Sequence, residues 1–401
     1  MECIFGIDVS KDTAEVAILA NDKVLHRFKI TLNQIGFAAL DEQLQSFSAA
    51  VVIFEATGVY SRRVAAFFQR EGLAYTQINP LQAKRAMEDF RSRKNDVLDA
   101  EGLARAMARY HFAPTYQEKP VYGELRDLER TYQQHNEDIV RAKNRLHQSL
   151  QMTFPEIEHV LSSTDGLLYW HLVQRFPHPD AVLACEMDEL TRVVMESTPK
   201  NMGLKRAQRI AGKLWDLAQL SAPAAVETDY IVKATTFQAQ EVARLDQLKA
   251  ATIVEMAVVA KGLSEVQILV SIPGIGEKTA LCLLAELGDV RRFHSANAIN
   301  AYVGIDLIQY QSGNYNAEQH IRKRGNAYAR KIMYRAIINI VSAARYRPTR
   351  ISAAYKRKKQ SSQFNRTKKI AVAAMSQLNR LIRHLILNNE PYDKTAFCPE
   401  P

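Results

Sequence analysis

Hydrophobic and polar positions in the first third of the chain switch between strand spacing and helix spacing. Apolar runs and strict alternation predict five strands, over 3–9, 13–20, 23–30, 50–56 and 74–78. Helical spacing predicts helices over 33–47, over 60–72, and through most of the chain from there to about residue 111. The first three strands are separated by short polar turns, so they predict an antiparallel meander.

A meander followed by helix, strand, helix, strand and helix is the element order of an RNase H-like α/β domain. We therefore predict such a domain over residues 1–115, although other α/β folds share this order. In an RNase H-like sheet the first and fourth strands are neighbours. Residues near the ends of these two strands are then expected to lie side by side.

From 116 to 262 the pattern is helical almost throughout and indicates a long helical connector. Apolar residues from Leu125 to Leu146 recur at alternating spacings of three and four, and a second heptad-like run follows from Val242 to Val266. Two such helices form either a helical hairpin packed on itself or a dimerising coiled coil. The pattern does not decide between the two.

The third region, 263–401, is predicted to be a mainly helical C-terminal domain. Two apolar helical stretches surround the tight turn "PGIGEK", in which Gly274, Gly276 and Lys278 resemble the turn of a helix-hairpin-helix element. Free backbone N–H groups in such a turn can hold a phosphate without reading sequence. A glycine turn that only packs two helices together explains the same residues.

Four carboxylates stand out from their surroundings. Asp8 ends the first buried strand in "GIDVSKD", and Glu55 ends the fourth in "IFEATGVY". Asp96 and Asp99 lie three positions apart in "KNDVLDAEGLAR", so a helix places both on one face. Converging acids repel one another unless a cation neutralises them. Oxygen ligands without Cys or His favour Mg²⁺, or Mn²⁺, so we predict a metal-dependent phosphoryl-transfer site.

The distribution of charge is uneven. The net charge is +10, yet residues 319–389 contain 18 Lys and Arg and no Asp or Glu, so the rest of the chain is acidic to neutral. Many cations without competing anions are typical of phosphate contact. The predicted nucleic-acid contacts outside the glycine turn are Arg91, Arg93, Lys94, Arg322, Lys323, Arg324, Arg330, Lys331, Lys356, Arg357, Lys358, Lys359, Lys368 and Lys369.

A candidate nucleophile precedes this basic run. Ser312 lies in the polar turn "YQSGNY" and is followed closely by several of the cations. Serine in a turn normally bonds the backbone, but a serine facing DNA among cations can attack a phosphodiester. Tyr310 and Tyr315 are the competing nucleophiles in the same turn.

The remaining composition predicts an ordinary intracellular protein. No apolar run approaches the roughly 18 residues of a membrane span, and the first ten residues do not resemble a signal peptide. The four cysteines are scattered without a C-x-x-C pair, which supports neither a zinc site nor a disulfide framework. We expect a cytoplasmic protein that associates with the nucleoid and makes no membrane contact.

Successive sequence blocks resemble the IS-one-ten (IS110) family of DEDD insertion-sequence transposases, a group that includes Piv-type DNA invertases. The blocks follow family order over about residues 4–340. They are "GIDVSKD", "FEATGVY", "KNDVLDAEGLAR", "KNRLHQSL", "SIPGIGEKTALCLLAELGD", "YVGIDLIQYQSG" and "IRKRGNAYARKIMYRA". The family's glycine-rich continuation after "QSG" is replaced here by "NYNAEQH", a departure next to Ser312.

The resemblance implies a RuvC-like N-terminal domain whose DEDD acids are Asp8, Glu55, Asp96 and Asp99, and a C-terminal transposase domain whose catalytic serine is Ser312. It implies that these acids, with Mg²⁺, and the serine form one composite site, and that the serine becomes covalently linked to DNA. It further implies double-stranded donor and target DNA, a guide RNA encoded by the element, and a tetramer of two dimers.

Three other functions remain open from the residues. A Holliday-junction-resolvase-like nuclease needs only the four acids and water, but leaves Ser312 unused. A sugar-kinase-like phosphotransferase is suggested by "GIDVSKD", but we find no second phosphate loop at a suitable spacing. A nucleic-acid-binding scaffold would leave the four acids without a role.

Overall fold

The structure is a computed structural model that describes residues 2–88, 96–308, 311–312, 315–316, 320–361 and 367–393. It consists of two compact units, Met1–Gln117 and Glu118–Pro401. Within the described ranges, no helix is long and apolar enough to cross a membrane.

The first unit is a five-stranded sheet with helices on its faces, as the element order predicts. The strands are β1 (Glu2–Val9), β2 (Thr13–Ala20), β3 (Lys23–Thr31), β4 (Ala49–Glu55) and β5 (Thr76–Ile78), in the order β3-β2-β1-β4-β5. The meander strands pair antiparallel, and β1, β4 and β5 pair parallel. The helices are α1 (Gln34–Gln45), α2 (Ser61–Arg70), α3 (Pro80–Met87) and α4 (Asp96–Tyr110).

Alternation along β1 divides the core of this unit between the two faces of the sheet. Phe5 and Ile7 are fully buried on one face, with α1 and α2. Ile4 and Ile53 belong to a separate cluster on the other face, with α3 and α4. The predicted adjacency of the first and fourth strands is confirmed, because Ile7 pairs with Phe54 in parallel register.

Helix α4 lies unusually close to β1, and Gly6 is the residue that permits it. A β-carbon at Gly6 would lie 2.1 Å from the carbonyl oxygen of Ala100 and 2.7 Å from the amide nitrogen of Ala104. Only a glycine accepts backbone at such a distance. The small side chains of Ala100 and Ala104 complete the contact, so this sequence specifies a helix seated directly on the strand.

The second unit is built almost entirely from helices, as predicted. They are α5 (Pro120–Thr153), α6 (Leu167–Arg175), α7 (Pro179–Leu183), α8 (Met187–Glu196), α9 (Leu204–Leu220), α10 (Tyr230–Val259), α11 (Ser264–Val270), α12 (Glu277–Leu287), α13 (Ala296–Val303), α14 (Ala327–Ala343), α15 (Arg350–Gln360) and α16 (Thr367–Asn388). Among the described residues between α13 and α14 lie four two-residue strands: β6 (Leu307–Ile308), β7 (Gln311–Ser312), β8 (Tyr315–Asn316) and β9 (His320–Ile321).

The two long helices, α5 and α10, pack along one another in the same chain, which is the hairpin alternative of the sequence analysis. They run antiparallel, since Ser149 bonds Gln238 while Leu125 and Met256 share one core cluster. At the Ser149 end the hairpin forms a core with α6–α9. At the other end it forms a core with α11–α16.

We predict that replacing Gly6 with valine lowers the stability of the chain by about 2–4 kcal/mol, because the new side chain collides with helix backbone that cannot move independently. Chemical denaturation of the full-length chain measures this. Gly123→Ala is the matched control, since Gly123 lies in α5 with open space at its β-carbon position and should be neutral or slightly stabilising. Equal effects of the two substitutions would contradict the close packing of α4 on β1.

Candidate active site and nucleic-acid interface

Asp8 and Glu55 lie at the ends of neighbouring parallel strands. Gly6 pairs with Ile53, and continuing that register by two residues sets Asp8 beside Glu55, about 4.8 Å apart in the backbone. Both belong to the face of the sheet that α4 covers, because side chains two positions apart share a face. Each is partly buried. The predicted meeting of these two acids therefore fits the observed topology.

Helix α4 directs its first turn toward the same end of the sheet. Its residues Ala100 and Ala104 contact Gly6, while Met107, further along, shares a cluster with Ile4. The helix thus runs antiparallel to β1, and its beginning lies at the end of β1 where Asp8 stands. Asp96 and Asp99 belong to that first turn. Asp99 is partly buried, and the side chain of Asp96 lies outside the described residues.

The donor set at this edge consists of carboxylate oxygens, which suits a hard divalent cation such as Mg²⁺ or Mn²⁺. Among the described side chains, no three His, Cys, Asp or Glu are grouped closely enough to hold a metal ion. That observation covers Asp8, Glu55 and Asp99 but not Asp96. The fit of a divalent cation to this edge therefore rests on the oxygen ligands that the four acids offer and on where the backbone places these acids.

A fifth carboxylate, Glu15 of β2, is opposite Asp8 in the antiparallel register and was missed by the sequence analysis. Side chains in such directly opposed pairs lie about 4.5–5.5 Å apart at their β-carbons. Its oxygen is 3.1 Å from the ammonium of Lys29 on β3. Counting back across the short turn from β2 to β1 pairs residue 15 with residue 8, so the signal was available in the spacing of the two strands.

Glu101 fastens α4 to the meander beside this edge. Its carboxylate contacts the guanidinium of Arg27 on β3 and accepts hydrogen bonds from Arg105 at 2.7 and 2.9 Å. Burial would raise the pKa of Glu101, but the two arginines outweigh it and hold that pKa below its usual value. The Arg27 pair therefore stabilises the position of the helix that carries Asp96 and Asp99, and Arg105 of the same helix adds a bond to the backbone oxygen of Asp22.

Ser312 lies in a small β-hairpin rather than an open turn. Its backbone belongs to β7, where Ser312 pairs with Tyr315 of β8, and its side chain lies outside the described residues, as does Tyr310. Strands β6 and β9, which flank this hairpin in the chain, pair Leu307 with Ile321 and are called the stem. The stem is reinforced where Asn326 donates its backbone N–H to the oxygen of Tyr302 at 2.7 Å.

Arg322, Arg330 and Lys331, which belong to the predicted nucleic-acid contacts, are engaged within the protein. Arg322 pairs with Asp306 at 3.2 Å, Arg330 donates to the oxygen of Val303 at 2.8 Å, and Lys331 donates to the side chain of Gln133 at 3.0 Å. These contacts hold the base of the stem. Their positive charge still contributes to the local field, but their donors are partly occupied.

Arg330, Lys331 and further cations of the basic region line a groove of about 1670 Å³ between α13, the stem, α14, α15 and α16. It includes the predicted residues Lys323, Lys358, Lys368 and Lys369, and also Arg380, which the sequence analysis did not single out. Lys356, Arg357 and Lys359 belong to the same helix as Lys358, and Arg324 is exposed beside the stem. Arg91, Arg93 and Lys94 lie outside the described residues.

The glycine turn between α11 and α12 contains glycines with different roles. Gly274 has φ of +92°, and a β-carbon there would lie 2.6 Å from the α-carbon of Ile340 in α14. The positive φ and the close contact with α14 therefore explain why this position is a glycine. Gly276 is exposed at the start of α12, and Lys278 is exposed with its ammonium 5.8 Å from the ring centre of Tyr132. These two remain candidates for phosphate contact.

Comparison with known proteins identifies the chain. Residues 5–155 match the family model of the DEDD transposase domain of IS110 elements, and residues 266–356 match that of the transposases of the IS116/IS110/IS902 family. Together these matches cover more than half of the chain and include both candidate centres. The protein is a DNA transposase, an enzyme that recombines DNA. It belongs to the IS110 family of transposases.

Individual relatives agree with this assignment. The chain is 24% identical to the transposase for insertion sequence element IS1111A of Coxiella burnetii over 82% of this chain and 75% of the relative. It is 25% identical to a mini-circle putative transposase for IS117 of Streptomyces coelicolor over 98% and 96%. A pilin gene-inverting protein of Moraxella bovis is 34% identical over 32% and 38%.

Among solved structures, RuvC of T. thermophilus in complex with a Holliday junction substrate aligns with 29% of this chain and 100% of its own. The identity is 17% and the TM-score is 0.23.

We predict that Glu101→Gln lowers the melting temperature by about 2–4 °C at neutral pH. The folded pKa of Glu101 is depressed, so its stabilisation is present above its unfolded pKa and fades as the pH falls through the folded value. Thermal unfolding at neutral and at acidic pH measures both effects. Glu71→Gln, which removes a solvent-exposed contact with Arg70, is the control and should change little. A loss that persists unchanged in acid would contradict this account.

Proposed function

We propose that the first unit has an RNase H-like, RuvC-type fold and that Asp8, Glu55, Asp96 and Asp99 form its catalytic centre. The observation that carries this proposal is the convergence of two strand ends and one helix start on a single edge of the sheet. Asp8 and Glu55 share a face, and Gly6 lets α4 bring its acidic first turn to that face. The family match supports the same four acids, since they occur in the matched segment.

These four carboxylates would hold Mg²⁺ or Mn²⁺ through oxygen atoms. A bound ion supplies charge neutralisation at a phosphodiester and orients its oxygens. The residues of the chain supply the rest: the strand ends fix two ligands on the sheet, and the Glu101 ion pairs fix the helix that carries the other two. Glu15, paired with Lys29, lies next to Asp8 as a further anion that would strengthen cation binding.

We propose Ser312 as the nucleophile of strand exchange. Its oxygen would form a bond to phosphorus while the bond from phosphorus to the departing strand's oxygen breaks and that oxygen gains a proton. Attack on the phosphoserine by a second strand's hydroxyl then restores a phosphodiester and frees the serine, so no external energy source is needed. Tyr310 and Tyr315 in the same segment are the competing nucleophiles.

The groove of the second unit is proposed as the path of the nucleic-acid backbone. Its cations come from α14, α15 and α16 and from the stem next to Ser312, so a bound strand would pass beside the hairpin. The resemblance to the family favours double-stranded donor and target DNA, an element-encoded guide RNA and a tetramer of two dimers. Residues 116–262 would act as the connector between the catalytic domain and the C-terminal domain, 263–401.

Site-specific inversion is a second candidate outcome of the same chemistry. The pilin gene-inverting protein of Moraxella bovis matches over 129 residues. Inversion and transposition differ in how the DNA ends are arranged, not in the bonds exchanged. A Holliday-junction-resolvase-like nuclease is less well supported, because hydrolysis by water leaves Ser312 without a role.

We predict that Ser312→Ala abolishes strand exchange and any covalent protein–DNA product, because no other group replaces the serine oxygen. The variant should still show the rise in melting temperature that Mg²⁺ or Mn²⁺ gives the wild type. Asp8→Asn should lose both strand exchange and this metal-dependent rise. Denaturing gels of a labelled DNA substrate and thermal unfolding with and without metal provide the two measurements.

Ser361→Ala is the matched control for the serine and should leave strand exchange intact, since Ser361 ends α15 at the surface. Tyr310→Phe and Tyr315→Phe separate the rival nucleophiles. Full strand exchange by Ser312→Ala would exclude the serine mechanism, and loss of the covalent product in one tyrosine variant alone would transfer the role to that tyrosine.

We predict that Lys323→Gln and Lys368→Gln each weaken nucleic-acid binding several-fold at low salt. Each should also reduce the slope of log affinity against log salt by about 1, because each removes one phosphate contact. Fluorescence anisotropy with a duplex DNA probe and an RNA probe measures this. Lys249→Gln on α10 is the control, since Lys249 is paired with Asp246. Unchanged affinity and slope in both groove variants would exclude the groove as the binding path.

A further inference from the structure

Two glutamates face each other in the core of the second unit with one arginine beside them. Glu129 of α5 and Glu286 of α12 are both fully buried. The guanidinium of Arg130 lies 2.6 Å and 2.8 Å from the two oxygens of Glu286, but 4.0 Å from Glu129. If both acids were ionised, one negative charge would stay uncompensated in the protein interior, which is strongly unfavourable.

The hydrogen bonds around the pair are consistent with a single proton between the two acids. Glu129 Oε1 accepts a hydrogen bond from the amide of Gln133 at 2.6 Å. Within the described structure, Glu129 Oε2 and Glu286 Oε1 receive no hydrogen bond from another group. Arg130 does contact Glu286 Oε1, but as an ion pair without hydrogen-bond geometry. A proton on one carboxyl supplies a donor for the other. Burial, and then the contact with Glu286, raise the pKa of Glu129 well above its ordinary value.

Glu286 also bonds Tyr302 and Asn326, the two residues that flank the stem in the chain. Its side chain accepts a hydrogen bond from the amide of Asn326 at 2.5 Å, and its backbone oxygen accepts one from the hydroxyl of Tyr302 at 2.9 Å. The side-chain oxygen of Asn326 caps α14 and accepts hydrogen bonds from the backbone N–H groups of Tyr328 and Ala329 at 3.0 Å each. Tyr302 and Asn326 are the two ends of the segment that contains Ser312.

We propose that Glu129 and Glu286 form a proton-sharing carboxyl pair that positions the stem of the Ser312 hairpin. Both are positioning residues, since they act through Tyr302 and Asn326. Loss of the shared proton would place a second negative charge beside Glu286, compete for Arg130 and weaken the contact with Asn326. The effect on strand exchange rests on the proposed role of Ser312, whereas the effect on the stem does not.

Other charged or titratable groups surround the pair from each packed element. Burial, with the two acids adding to it, raises the pKa of Cys282 to about 12, so its thiol stays neutral when the pair loses its proton. Lys331 reaches the pair only through Gln133. The groups are Arg126 and Arg130 from α5, Lys278 and Cys282 from α12, Tyr302 from α13 and Lys331 from α14.

The test is amide hydrogen exchange of the full chain over residues 302–308 and 320–326 at a series of pH values. Glu129→Gln keeps a donor toward Glu286 and cannot ionise, so it should keep the stem protected. Relative to this variant, opening of the wild-type stem should increase about tenfold per pH unit between the ordinary glutamate pKa and the raised one. Glu129→Ala, which removes the donor, should expose the stem at every pH.

Glu265→Gln is the matched control, because Glu265 is a buried acid of the same unit whose pKa is lowered by Arg291 despite its burial. It should show the wild-type pH dependence in the stem. Identical exchange of wild type and Glu129→Gln at all pH values would overturn the shared proton. An unaltered stem in Glu129→Ala would overturn the positioning role.

Strand exchange separates this inference from the proposed function. With Ser312 as nucleophile, Glu129→Ala should lower the rate of strand exchange by tenfold or more, and Glu129→Gln should keep it near the wild-type rate. Compared with these two Glu129 variants, the wild type alone should lose activity as the pH becomes alkaline. If this pattern fails while Ser312→Ala is inactive, the positioning role of Glu129 and Glu286 is overturned, and the proposed role of Ser312 as nucleophile stands. If Ser312→Ala is active, the proposed function fails. Amide exchange of the wild-type stem relative to that of Glu129→Gln then decides by itself whether the two glutamates share a proton.

Discussion

The contact between Gly6 and α4 is the constraint on which the candidate catalytic edge depends. The two acids of the sheet edge and the acidic first turn of α4 can lie at one edge only if the helix lies directly on the strand. The missing side chain at Gly6 and the small ones at Ala100 and Ala104 give that distance. Glu101 then fixes the helix laterally through Arg27 of β3, and Arg105, on the same helix, bonds Glu101 and the backbone oxygen of Asp22. A core contact and a set of ion pairs thus determine where the acids stand.

Much of the first unit could be predicted from the sequence, because its strands are short apolar or alternating runs separated by polar turns. Strand β2 matches its prediction residue for residue, and the neighbouring positions of β1 and β4 follow from the element order. The helix ends were less accurate. Helix α1 begins at Gln34 because the side chain of Asn33 accepts a hydrogen bond from the backbone of Gly36, a local contact that hydrophobic spacing does not show.

The positions of the candidate site's residues could be predicted in part, and what was missed depends on long-range contacts. Asp8 and Glu55 are visible because an acid at the end of a buried strand is unusual, whereas Glu15 requires the register of the turn. The roles of Arg322, Arg330 and Lys331 could not be separated from those of their basic neighbours, because their partners lie as far away in the chain as Gln133. A basic run indicates its net charge, but not which of its side chains the protein uses itself.

The second unit prepares its part of the chemistry differently from the first. At the sheet edge, Asp8, Glu55 and Asp99 are partly exposed, a setting that suits the proposed cation site. In the core, Glu129 and Glu286 are sealed from solvent beside a single arginine, a setting that favours a proton. The same residue type thus serves opposite purposes, according to how much water and positive charge reach it. Because Glu286 bonds Tyr302 and Asn326 at the two ends of the Ser312 segment, the protonation state of a buried carboxyl pair bears on the geometry of the proposed nucleophile's segment.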